Sequence, residues 1–141
     1  MGLYHYAHSY AACAKALSQT HVSATHSDAP VRFLYRHAVE LYLKAYLRSR
    51  GVTTQTLRSR QYGHSTIRLV GEAIALGFEI TDRDRRMVEA LDDSLADRYL
   101  VTGTRRVLSP AQMLLLCQRL HVEVGFPIYA AAGLKRRLPD L

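Results

Sequence analysis

Two Arg–His pairs carry the chemistry this sequence could perform. Arg32 and His37 are separated by four residues and Arg58 and His64 by five, with Arg60 inside the second interval. Cleavage of RNA through attack of a 2′-hydroxyl needs a proton acceptor, a proton donor and a cation at the scissile phosphate. A His–Arg pair supplies these without metal. His64 directly precedes Ser65, whose side chain suits a helix N-cap. A ring at such a junction can be held in place and still reach solvent, and a helix N-terminus beside it attracts anions. His64 is therefore the first candidate acid–base group, with Arg58 or Arg60 holding phosphate. His37 with Arg32 is the second. Both histidines have a structural alternative: His64 can tie its loop to the fold, and His37, in mid-helix, can pack or fill a buried hydrogen bond.

Other chemistries find less. The chain has no phosphate-binding glycine loop, dinucleotide fingerprint or nucleophile elbow. His5 and His8 are three apart, which puts two imidazoles on one helical face, but no third ligand is specified nearby. No metal and no cofactor is expected. His21 and His26 flank a turn and are expected in solvent. Cys13 and Cys117 fall in helical patterns and read as reduced, buried thiols. Tyr35, Tyr42 and Tyr46 share one helical face, suited to packing against a helix or second subunit, or to stacking on bases.

The elements that must position these residues are helices. A first helix is expected from about Tyr6 to Val22. Asp28 reads as the cap and Pro30 as a first-turn residue of a second helix, Val31 to Ser49, closed by Gly51 and about 28 Å long. Its apolar residues nearly encircle it, the mark of a central helix. One polar row remains, Arg32, Arg36, Glu40, Lys44 and Arg48, which reads as a solvated stripe with i,i+4 ion pairs. Val52 to Gly63 reads as a polar connection. Ser65 caps a third helix, Thr66 to Leu76, ended by Gly77. Thr81 and Asp84 open a fourth, to about Ala96, followed by a loop from Arg98 to Arg106. Ser109, Pro110 and Gln112 open a fifth, which Gly125 and Pro127 are expected to stop, with a short helix possible after Ile128. The longest alternating stretch is Tyr99 to Thr102, so the class is all-α. Leu34, Ala38, Leu41, Ala45, Val70, Ile74, Val88, Leu91, Leu114 and Cys117 are the expected shared core.

The 141 residues fit a single domain, 1–141. Apolar runs such as Leu114 to Cys117 fall far short of the roughly 20 residues that span a bilayer, so no membrane association is expected. Met1 to Tyr10 lacks the pattern of a signal peptide, and a cytoplasmic location follows as the expectation. The formal charge of +7 is unevenly placed. Leu41 to Gly71 holds six basic residues and no acidic one, Glu72 to Asp97 eight acidic and three basic, and Arg98 onward seven basic and two acidic. That pattern fits RNA on one face, or a dimer whose acidic segment meets a basic one.

One stretch carries a resemblance. It comprises an Ala-rich helix face from Tyr10 to Leu17, the run from Phe33 to Leu47 containing Glu40, Lys44, Ala45 and Leu47, the turn at Gly51, and Gly63-His64-Ser65 opening the next helix with Ile67 and Leu69. Over roughly residues 6 to 77 the chain resembles the HEPN superfamily, helical domains of prokaryotic toxin- and nucleotidyltransferase-associated systems. The resemblance implies an antiparallel four- to five-helix bundle, usually a homodimer, and in many members a metal-independent ribonuclease. The family's active motif is an Arg, often followed by a polar residue, then four to six residues and a His, in the later half of the domain. Here the only later histidine is His121, with Arg119 two positions before it, and neither Arg98 nor Arg105 has the spacing. The expectation is thus a dimeric nucleotide- or RNA-binding domain of a toxin–antitoxin-like defence or stress system, with ribonuclease activity through the earlier pairs. The alternative is a non-catalytic module that partners a nucleotidyltransferase or regulator.

Overall fold

A computed structural model describes residues 1–59, 62–92, 107–134 and 137–141. The described residues form six helices and no strand: α1 (Gly2–Ser18), α2 (Asp28–Ser49), α3 (Thr54–Arg58), α4 (Thr66–Ala75), α5 (Asp82–Ala90) and α6 (Pro110–Ala131). They pack as an all-α helical bundle around α2, which lies against α1, α4 and α6. Tyr4 faces Tyr42 and Tyr10 faces His37, so α1 runs antiparallel to α2. Tyr4 also meets His121 and Tyr129 while His8 meets His121, so α1 opposes α6 as well. The α1 stripe of Tyr4, Ala7, Ala11 and Ala14 is fully buried. Its alanines allow the backbone of α1 to lie close to α2.

Helix starts follow local cap chemistry. Ser65, Thr81 and Ser109 each accept a hydrogen bond from the backbone N–H three residues on, and Gln112 returns the bond to Ser109. Gly51 ends α2 and Gly77 follows α4 in the left-handed region, at φ +96° and +87°. There Val52 N–H reaches the Leu47 carbonyl and Phe78 N–H the Ala73 carbonyl, satisfying carbonyls the helices would leave open.

Several expectations are corrected. Helix α1 is Gly2–Ser18, starting earlier and ending earlier than the Tyr6 to Val22 reading. Helix α2 begins at Asp28 itself, after an N-cap at Ser27 that makes no side-chain bond. The connection after Gly51 contains α3, capped by Thr53. Helix α6 continues through Gly125 and Pro127 to Ala131. Proline costs a helix the one hydrogen bond it would donate to the carbonyl four residues back, here Glu123. A Cβ on Gly125 would stand 2.6 Å from Tyr4 Oη, so this glycine makes room for a neighbour where the sequence reading saw a stop.

The core contains Ala38, Ala45, Val70, Val88, Leu91 and Cys117 as expected, but Leu34, Leu41 and Leu114 only lean on it and Ile74 is 36% exposed. Tyr35, Leu43, Leu47, Leu69 and Leu116 fill the centre instead. Cys13 is exposed rather than buried. The stripe on α2 is not solvated at its middle: Arg36 and Glu40 are buried. The end of the fourth predicted helix beyond residue 92, the 98–106 loop, the 99–102 stretch and Arg60 lie outside the described residues. No helix among the described residues is long and apolar enough to cross a membrane.

Candidate functional site

Glu40 is the centre of the candidate site. It sits midway along α2, and its side chain is 2% exposed. An ionised carboxylate in such a place must be paired and hydrogen-bonded. Lys44, one turn on, donates from Nζ to Glu40 Oε1 at 2.7 Å and to the Gly63 carbonyl at 3.0 Å. His64 donates from Nδ1 to the same carboxylate, at 3.0 and 3.2 Å to its two oxygens. Burial works to raise the Glu40 carboxyl, but the Lys44 ammonium and the His64 ring outweigh it and hold the group below its usual range.

The loop carrying His64 is fixed from several sides. Gly63 N–H bonds the Ser59 carbonyl at 2.9 Å, and Ser65 N–H the Tyr62 carbonyl at 3.0 Å. Arg36 reaches up from α2, donating from Nη2 to the His64 carbonyl and from Nε to the Leu91 carbonyl, both at 3.1 Å. Asp92 clasps the start of α4, accepting from Thr66 N–H at 2.5 Å and from the Ser65 hydroxyl at 3.1 Å. The backbone of His64 is thereby tied to α2 and to the end of α5, while 61% of its side chain faces solvent.

Chemically this is a carboxylate-oriented imidazole. Because the Glu40 carboxylate takes the Nδ1 proton, neutral His64 presents the Nε2 lone pair outward, and protonated His64 presents an N–H donor there. Among the described residues Nε2 has no hydrogen-bond partner. The ring can therefore accept a proton from, or donate one to, a group arriving from solvent.

The second Arg–His pair contributes little to this. Arg32 and His37 point to different faces of α2. Arg32 lies 4.0 Å from Asp28, and the His37 ring packs edge-on against Tyr10 at 4.5 Å. Burial lowers the proton affinity of His37, with Lys44, His64 and Arg36 acting in the same direction and Glu40, 3.9 Å away, against it. Packing thus accounts for its position. Arg58 is exposed in α3 and makes no hydrogen bond with His64. Arg60 lies outside the described residues.

Sequence reasoning missed two polar assemblies, one buried and one partly so. His121 was set aside for its spacing from Arg119, yet it is 4% exposed and meets Tyr4 Oη at 3.1 Å, Tyr42 Oη at 3.2 Å and the Pro139 carbonyl at 2.9 Å. The signal was present: His121 shares the inward spacing of Cys117, Val124 and Ile128 on α6. Arg119 itself forms a two-pronged ion pair with Asp84 at 2.5 and 2.7 Å, joining α6 to α5. His8 donates to the Asp140 carbonyl, and among the described residues no set of three or more His, Cys, Asp or Glu side chains gathers that could hold a metal. His21 and His26 are exposed, and Tyr35, Tyr42 and Tyr46 are buried, so they serve packing and not base stacking. Compared with known protein families, curated proteins and solved structures, the chain matched none.

Proposed function

We propose that the chain is a nucleotide- or RNA-binding helical domain organised like the HEPN domains its sequence resembles, acting in the cytoplasm as a homodimer within a prokaryotic defence or stress system. One observation carries this reading: the exposed His64 ring is anchored through Nδ1 on the buried Glu40 carboxylate. A ring so held needs no reorientation when a phosphate or a 2′-hydroxyl meets Nε2, and the stretch of sequence that contains it, Leu41 to Gly71, holds six cations and no carboxylate. Metal-independent RNA cleavage is the chemistry such an imidazole would perform, with Arg58 or Arg60 as the phosphate-holding cation.

A second reading is favoured by a different observation. The cations that meet the His64 loop are already engaged: Arg36 bonds the His64 and Leu91 carbonyls, and Lys44 bonds Glu40 and the Gly63 carbonyl. On this reading the domain binds without cutting, or serves as an interaction module for a nucleotidyltransferase or regulator. The test is a labelled single-stranded RNA mixed with purified protein in chelator, between about 50 and 200 mM salt. The first reading expects binding that weakens with salt and fragments that disappear in His64→Ala. Binding without fragments selects the non-catalytic form. RNA neither bound nor cut at low salt rejects RNA as the ligand.

A further inference from the structure

Residues 137–141 lie against α1 and α6, where three side chains grip three successive carbonyls. His121 Nε2 donates to Pro139 at 2.9 Å, His8 Nε2 to Asp140 at 3.1 Å and Gln118 Nε2 to Leu141 at 3.0 Å. Leu138 is buried beneath this segment. The two imidazoles are neighbours, with ring centroids 5.2 Å apart.

Protonation state sets the grip. A carbonyl only accepts, so each ring carries its hydrogen on Nε2. Neutral His121 then keeps a lone pair on Nδ1, which takes the hydroxyl hydrogen of Tyr4 or Tyr42. Both tyrosines are fully buried. A second proton on Nδ1 would turn that atom into a donor. The buried hydroxyl hydrogen that it held would lose its acceptor, and the new cation would have no carboxylate within 4.0 Å among the described residues.

The surroundings offer no rescue. From α1 the ring faces Tyr4 and His8, with His5 stacked edge-on beyond Tyr4. From α2 it faces Tyr42, and from its own helix Cys117 and Tyr129 lie in the same tyrosine cluster. The Asp140 side chain is turned to solvent and pairs with Arg137 at 3.1 Å. Burial lowers the proton affinity of His121; the Pro139 carbonyl opposes this and His8 reinforces it.

We propose that residues 137–141 form an acid-released strap, closed while His8 and His121 are neutral and detached when the two adjacent rings take up charge. A charged ring would hold its carbonyl more tightly if that were all. The reversed Nδ1 bond, the unpaired buried charge and the repulsion between the rings act against it together. Release lets both rings meet water and uncovers Gln118, His121 and His8 as a row of donors.

The test is backbone NMR on the full chain, with the amides of Leu138, Asp140 and Leu141 as reporters and those of Ala38 and Leu43 on α2 as the control. Spectra are compared at about pH 7.5 and about pH 5.5, either side of the ordinary histidine value. The strap predicts ordered reporter amides at the higher pH and a loss of their heteronuclear NOE at the lower, with α2 unchanged. His8→Gln keeps an N–H donor and cannot charge, so its transition should move to lower pH. Reporters equally ordered at both values, disordered at both, loosening only together with α2, or an unmoved transition in His8→Gln would each overturn the proposal.

Discussion

Replacing Glu40 by glutamine keeps the shape of the side chain and removes one buried charge. The Glu40 and Lys44 side chains are 2% and 14% exposed, so their 2.7 Å contact is shielded from solvent. The His64 partner is 61% exposed, and its share of the energy is largely screened. Neutralising one member of a buried pair costs about 3–5 kcal/mol when the other charge is stranded. Here Lys44 keeps the Gly63 carbonyl and one amide oxygen, so a loss of about 2–3 kcal/mol is expected. In a urea titration that lowers the midpoint by roughly 1–2 M for a domain of this size. The pH dependence has a definite sign. The folded carboxyl lies below its unfolded value, so Glu40 contributes stability above the ordinary carboxylate range, and this is lost as pH falls through the folded value. Glu40→Gln should lack that part of the acid limb. Glu40→Met with Lys44→Met should lie nearer the wild type than either single change, because an apolar pair leaves no charge behind. A loss below about 0.5 kcal/mol for Glu40→Gln, or an acid limb identical to wild type, would refute the reasoning.

Three further outcomes follow from the packing. Gly125→Ala places a Cβ 2.6 Å from the fully buried Tyr4 hydroxyl, so it should destabilise by about 1–3 kcal/mol and shift the His121 ring resonances, whereas Gly71→Ala meets nothing and should not. Leu43→Ala should cost about 2–5 kcal/mol in denaturant, and Ile74→Ala, at a position 36% exposed, clearly less; equal losses would contradict the observed core. The lowered proton affinity of His121 gives stability that is present above the ordinary histidine value and lost as pH falls through the folded one, so wild-type stability should drop on that acidic side and His121→Gln should show a smaller drop.

What the sequence made legible was local. The starts at Ser65, Thr81 and Ser109 could be read because a cap is a contact between residues three apart. The fate of the α2 polar row could not, since Arg36, Glu40 and Lys44 look alike in sequence whether water or a loop covers them. What covers them is residues 63–65 and the end of α5, brought in from 19 or more residues away. His64 was correctly singled out as a junction residue, but its partner was sought among arginines when a charge of the opposite sign held it. Gly125 and Pro127 read as punctuation because their tertiary neighbour, Tyr4, lies at the other end of the chain. His121 was judged by its distance from an arginine, whereas its inward spacing on α6 was the informative quantity.

The central claim, that His64 is a ligand-facing ring oriented by Glu40, is tested most directly by the imidazole nitrogen resonances of His64 during titration with a short single-stranded RNA at low salt. The account predicts a hydrogen on Nδ1 held by the Glu40 carboxylate, a shift concentrated at Nε2 as RNA is added, and loss of that Nδ1 arrangement in Glu40→Gln. A ring with its hydrogen on Nε2, or RNA shifts elsewhere on the molecule with His64 unmoved, would contradict it.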